Sequence, residues 1–133
     1  MNLRVVWEKK REYERLLAKV EELETLATKM TSNLTGLPKS ANTKRNDDDA
    51  WAALIDYKAS CEAQLLDYLN ACRALEKELD SIRSDKIRTA MKYRFIDCKR
   101  IDQIAVAMRY DKRWVQRLLE KGERIYKEMY GDD

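Results

Sequence analysis

Apolar positions recur at helical spacing along most of this chain. From residue 3 to residue 30, Val6, Tyr13, Val20 and Ala27 form one row, and Leu16, Leu23 and Met30 form the complementary row of a heptad pattern. Lys9 interrupts the second row, and Leu17 and Leu26 widen the stripe, which suits packing against more than one neighbour. The remaining positions are largely Glu, Lys and Arg, as in a coiled coil. A second stretch runs from about Asp48 to Ser81. Its first row is Trp51, Lys58, Leu65, Cys72 and Leu79, and its second is Leu54, Cys61, Tyr68, Leu75 and Ile82, flanked by Ile55 and Leu69. Lys58 alone breaks the seam, so the spacing predicts a second long helix. Between the two lies a polar stretch, residues 31–49, which holds Gly36 and Pro38 and ends in Asp47, Asp48 and Asp49. It is expected to be a loop that lets the chain reverse. The three acids would then sit favourably at the start of the second helix.

Beyond residue 83 the helical segments become shorter. Ser84-Asp85 reads as a helix start, and Ile87, Ala90, Met91, Phe95 and Ile96 line one side of a helix over 86–96. Ile101, Ile104, Ala105 and Met108 make a short amphipathic helix. A tight connection at Arg109-Tyr110 leads to Asp111, a residue suited to cap the next helix. Val115, Leu118, Leu119 and Ile125 supply the inward face of that last helix, where Gly122 permits a close approach. The expected fold is all-α. A long antiparallel helical hairpin of coiled-coil character (1–83, with its loop at 31–49) precedes a C-terminal helix-turn-helix (84–133). The hairpin would serve oligomerisation or partner docking.

Composition agrees with long helices and a thin core. The 133 residues include three Gly, one Pro and one Phe, and 38% are charged. Three cysteines without CxxC spacing and no His argue against a disulfide framework or a zinc site. Cys61 and Cys72 fall on the apolar stripe, where they act as small hydrophobes. No metal site and no cofactor are expected. An enzyme is the least favoured class, for lack of His, of a Gly-rich phosphate loop and of clustered carboxylates beyond Asp47–Asp49. The N-terminus has no apolar run suited to a signal peptide or membrane span. A soluble, cytoplasmic protein without membrane contact is the expectation.

The charge distribution adds direction. The net charge is only +3, but residues 86–127 hold thirteen Lys and Arg against five Asp and Glu, a local +8. Clustered positive charge on one segment is the footprint of a polyanion-binding face. A solvated helical surface is the plainer alternative. In the helix-turn-helix reading, Lys112, Arg113, Gln116 and Arg117 face outward in the first turns of the recognition helix. Arg and Lys suit guanine O6/N7 there, and Gln suits adenine N6/N7. Lys99, Arg100, Arg109, Lys121 and Arg124 are the candidate phosphate contacts, which orient without reading sequence. Trp114 is expected to pack over the adjoining helix rather than lie against a sugar-phosphate edge.

The segment from Ile87 to Met129 resembles the sigma-factor region-4-like helix-turn-helix of small phage and prophage regulators from Gram-positive bacteria. These include the ArpU- and RinA-like late transcription regulators and an allied family of phage proteins. Tyr93-Arg94-Phe95 stands near the first pair of that pattern, Ile104-Ala105 matches the second, and Arg109-Tyr110-Asp111 replaces a Gly-Tyr-Ser turn. Arg109 in place of Gly is a departure that leaves the turn conformation open. Upstream, a helix, a Pro-containing loop like Leu34–Ser40 and a second long helix also resemble the allied family. The resemblance implies sequence-specific transcriptional control of phage genes in a bacterial host, with double-stranded DNA and host RNA polymerase as partners. A homodimer would present two recognition helices to paired half-sites. Two other classes stay open on the residues alone: a small terminase-like DNA-packaging subunit, and a helical interaction module that binds no DNA.

Overall fold

The computed structural model describes residues 2–33 and 41–131. Among them are five helices and no strand: α1 (Val5–Asn33), α2 (Ala41–Leu79), α3 (Asp85–Phe95), α4 (Ile101–Met108) and α5 (Lys112–Tyr130). The all-α class expected from the scarcity of helix breakers is what the chain adopts. No helix among the described residues is long and apolar enough to cross a membrane.

α2 starts earlier than its apolar pattern suggests. Residues 41–49 are expected in the loop, yet they are helical from Ala41. Asp47, Asp48 and Asp49 therefore lie seven to nine residues into α2, beyond the first turn where acids best complement the helix dipole. The physical reason is that nothing after Pro38 stops a helix. Ala41 to Asp49 contains neither Gly nor Pro, and adding residues to an existing helix costs far less than nucleating one. Gly36 and Pro38 themselves lie outside the described residues.

The chain groups into two compact units, one of Met1–Lys9 with Tyr68–Asp133 and one of Lys10–Asp67. In the second unit, Leu16 and Val20 of α1 form a small core with Leu54 and Cys61 of α2, edged by Tyr13, Leu17, Leu23 and Tyr57. Lys58 Nζ lies 3.0 Å from Glu24 Oε1 across the two helices. Here only one of the two expected heptad rows of α2 is covered. Leu54 and Cys61 are buried, whereas Trp51 is 47% exposed and Lys58 faces solvent.

The other unit holds the larger core. Met91, Ile104 and Val115 are fully buried at its centre, and Val6, Leu75 and Leu79 from the long helices join them, with Ile82 from the turn after α2. This core thus reaches back past residue 84, the expected start of the C-terminal segment. Trp7 shows how. Its Nε1–H donates to the carbonyl of Arg94 at 2.9 Å, and its ring stacks on Phe95 at 5.2 Å between centroids. The Arg94 guanidinium lies over the indole ring, 4.7 Å from its centroid, an arrangement favoured by the ring quadrupole. At the end of α2, Glu78 accepts from the Tyr126 hydroxyl at 3.1 Å through its carboxylate and from Tyr130 at 3.3 Å through its carbonyl. Lys92 Nζ meets Asp80 Oδ1 at 2.6 Å.

α3 begins as the sequence suggests. Ser84 caps it by accepting from the Ile87 amide at 3.4 Å, and Arg88 pairs with Asp85 one turn inside. α3 and α5 then approach closely at Gly122. A β-carbon there would meet Met91 Sδ at 2.5 Å and Met91 Cγ at 2.6 Å, so only glycine fits without displacing a fully buried side chain.

Two measurements test this packing. Replacing Trp7 by Ala removes the stack, the hydrogen bond and the cation contact together, and should destabilise the protein by about 2–4 kcal/mol in urea unfolding. Gly122→Ala gains about 1 kcal/mol of helix propensity but overpacks the core at a cost of about 1–3 kcal/mol. A net fall in thermal stability is expected, opposite in sign to the same change on an exposed helical face.

Candidate nucleic-acid interface

The local sequence from Asp97 to Arg117 builds a short helix between two sharp turns. Cys98 and Arg109 flank α4, and both adopt positive φ, 57° and 60°. Such backbone costs an L-residue roughly 1–2 kcal/mol relative to the right-handed region, so each turn is held by its surroundings. Before α4, Arg94 Nη1 donates to the Lys99 carbonyl at 3.0 Å, and the Lys99 amide donates to the Tyr93 carbonyl at 3.0 Å. Arg94 thereby joins the Trp7 contact to the turn that launches α4. At the start of α4, Gln103 Oε1 accepts from the Arg100 amide at 3.0 Å, satisfying a donor otherwise left open at a helix start.

The turn after α4 resolves what Arg109 does in place of glycine. The Tyr110 amide donates to the Ala105 carbonyl at 3.0 Å and the Arg109 amide to the Val106 carbonyl at 3.3 Å. This pair of bonds, around a left-handed residue, is the Schellman arrangement that ends helices. Arg109 itself occupies the left-handed position, with φ 60° and ψ 41°. The turn is thus the one glycine would make, formed by an arginine. Asp111 follows in extended conformation at the N-cap of α5, but its side chain makes no capping hydrogen bond. Its position matches the expected cap and its expected chemistry does not. The carbonyl of Asp111 accepts from the Val115 amide at 3.1 Å and so starts α5.

α5 then sorts its side chains by face. Val115, Leu118, Leu119, Gly122 and Tyr126 are buried, at spacings of three and four that keep one helical face against the core. Ile125, also expected inward, is half-buried at the edge. Lys112, Arg113, Gln116 and Arg117 are all exposed, and by the 3.6-residue period they share one outward arc. Arg124 continues that arc two turns further on, while Lys121 falls on its flank. Arg100, Arg109, Lys121 and Arg124 are exposed as well. Lys99 is half-buried, its ammonium 5.4 Å from the Tyr93 ring centroid. Arg100 Nε lies 3.3 Å from Asp102 Oδ1, an exposed pair of small energetic weight.

Three further side chains border this face. Val106 is 80% exposed on α4, an apolar residue off the buried stripe. Trp114, expected to pack over the adjoining helix, is instead 37% exposed and lies outside the core cluster. Its place in the helical register explains this, since it falls one residue before buried Val115 and turns toward the flank. Glu120 is exposed on the same arc as Gln116, one turn later, and interrupts the positive face between Arg117 and Arg124. Lys99, Gln103, Val106, Tyr110 and Lys112 line an open cleft of about 580 Å³ beside the turn. Lys86 Nζ lies 5.8 Å from the Tyr110 ring centroid.

Comparison of the chain with protein-family profiles, with curated proteins and with solved structures gave no match.

The strain at Arg109 has a measurable consequence. Arg109→Gly relieves the left-handed backbone, partly offset by the greater freedom of glycine in the unfolded chain. A gain of up to about 1 kcal/mol is expected in thermal unfolding, and a loss of stability would show that the arginine side chain holds the turn.

Proposed function

We propose that this protein is a sequence-specific double-stranded DNA-binding transcriptional regulator, of the sigma-factor region-4-like kind its C-terminal sequence resembles. In this reading it acts on phage or prophage genes in the bacterial cytoplasm. One observation carries the proposal. Four side chains suited to base edges, Lys112, Arg113, Gln116 and Arg117, are exposed together in the first turns of a helix whose opposite face is buried. That helix follows a short helix through a tight turn. It is the disposition a recognition helix needs to enter a major groove, whose width admits an α-helix.

The roles follow from chemistry. Arg113 and Arg117 donate to guanine, Gln116 pairs with adenine, and Lys112 reaches the first base or its phosphate. Lys99, Arg100, Arg109, Lys121 and Arg124 hold the phosphates and set the register. Val106, lining the same cleft as Lys112, offers an apolar surface to a thymine methyl group. Glu120 bounds the base-reading stretch, because a carboxylate on that arc repels the phosphate backbone. A homodimer would place two such helices on paired half-sites, and host RNA polymerase is the further partner that the family resemblance implies.

Fluorescence anisotropy with labelled duplex DNA tests the reading. With five phosphate contacts, affinity should fall about 500-fold for a fourfold rise in salt. Arg113→Ala with Arg117→Ala should erase the preference for a selected site over random duplex while leaving salt-dependent non-specific binding. A preference that survives in this double variant rules out α5 as the reading helix, and no duplex binding at low salt rules out the function.

A further inference from the structure

In the sequence, the four cations of α3, Lys86, Arg88, Lys92 and Arg94, look equivalent. The fold separates them. Arg88 pairs with Asp85 and donates to the Ile82 carbonyl. Lys92 meets Glu76 and Asp80 at the end of α2. The Arg94 guanidinium is divided between the Trp7 ring and the Lys99 carbonyl. Lys86 is the exception. It is exposed, its ammonium rests 5.8 Å from the Tyr110 ring centroid, and no carboxylate among the described residues pairs with it. Helical spacing accounts for the division. Arg88 and Lys92, four residues apart, share one flank of α3. Lys86 and Tyr93, two turns apart, share another, the one beside Tyr110 and Lys99.

Lys99 is held in the same manner as Lys86, its ammonium 5.4 Å from the Tyr93 ring centroid. Lys99, Tyr110 and Lys112 line the open cleft beside the turn, so Lys86, over Tyr110, brings a third ammonium to its edge. A carboxylate would cancel such a charge. An aromatic face attracts the ammonium through its quadrupole but has no net charge, so the field of the cation survives. The three N–H donors of each ammonium are then left for another acceptor. Cations fixed in place without being neutralised are what an anion-binding surface requires. Two acids also line the cleft. Asp102 is engaged by Arg100 Nε at 3.3 Å, which leaves Asp111 against three lysines. The cleft includes the first residue of α5, Lys112, and so adjoins the base-reading side chains. Its open shape suits a backbone phosphate passing across it better than a small ligand, which sites of that kind largely enclose.

We infer that Lys86 and Lys99, each seated on a tyrosine ring, clamp the phosphate backbone of the duplex beside the start of α5. The inference rests on the DNA-binding reading and extends its footprint to α3, outside the helix-turn-helix itself.

Fluorescence anisotropy on the full chain with random-sequence duplex gives the log–log slope of affinity against salt. Lys86→Gln should lower the magnitude of that slope by about 0.9, the share of one phosphate contact, and weaken binding about eightfold near 0.1 M salt. Preference for a selected site should stay intact, because a phosphate contact carries no sequence information. Arg83→Gln is the control. This cation is exposed beside Ile125 and Met129, towards the far end of α5, and its loss should leave the slope unchanged. Inorganic phosphate without DNA should raise the thermal unfolding midpoint no more than chloride at equal ionic strength. If the native chain binds duplex and Lys86→Gln keeps its slope, the clamp is overturned and the DNA-binding reading stands. If the native chain binds no duplex, both fall. An equal loss of slope in Arg83→Gln reduces Lys86 to bulk charge and overturns the clamp. So does stabilisation by phosphate alone that Lys86→Gln abolishes, since the cleft would then be a free-anion site.

Discussion

The close approach of α3 and α5 at Gly122 is the constraint on which the candidate interface depends. Without a β-carbon there, Met91 and Ile87 can lie directly against the α5 backbone. That contact holds Val115, Leu118 and Leu119 in the core and so turns Lys112, Arg113, Gln116 and Arg117 outward. The direction of four exposed side chains is thus decided on the opposite face of the helix, by a residue with no side chain. Because interiors pack at crystal-like density, a shift of this contact would rotate the whole outward face.

A second set of contacts stiffens the same unit from further away in the chain. Trp7 lies at the start of α1, yet its indole contacts both Phe95 and Arg94. Arg94 also donates to the carbonyl of Lys99, in the turn that precedes α4. The two tyrosines late in α5 close on Glu78 at the end of α2. The short helices α3 to α5 offer a small apolar surface by themselves, and small cores are marginal. Recruiting Val6, Leu75, Leu79 and Ile82 enlarges it. Rigid support is what a surface needs if it is to present several donors at fixed spacing.

The long helices divide their apolar residues between two tasks. One row of α2 packs on α1 through Leu54 and Cys61, while Trp51 and Ile55 stay exposed. Breadth of the apolar stripe is visible in the sequence, but a stripe does not say which part meets which neighbour. One neighbour of narrow apolar face covers only part of it. Lys58, which looks like a flaw in the seam, stays exposed and pairs with Glu24 of α1.

Much of the secondary structure was legible from residue types alone. Heptad spacing announced α1 and the body of α2, Ser84 announced α3, and the short apolar rhythm around Ile104 and Val115 announced α4 and α5 with their outward basic residues. These signals are local, since each depends on neighbours within a turn or two of helix. What they missed needed partners distant in sequence or a backbone choice that side chains do not encode. The start of α2 at Ala41 reflects helix propagation rather than any apolar pattern. Only the folded chain shows that Trp7 belongs with Arg94 and Phe95, that Trp114 stays outside the core, and that Arg109 takes the left-handed turn usual for glycine. Sequence periodicity determined that the chain is helical and which faces are apolar, because that information repeats every few residues. Tertiary structure decided which apolar face is covered and by what, because burial depends on residues brought together from far apart.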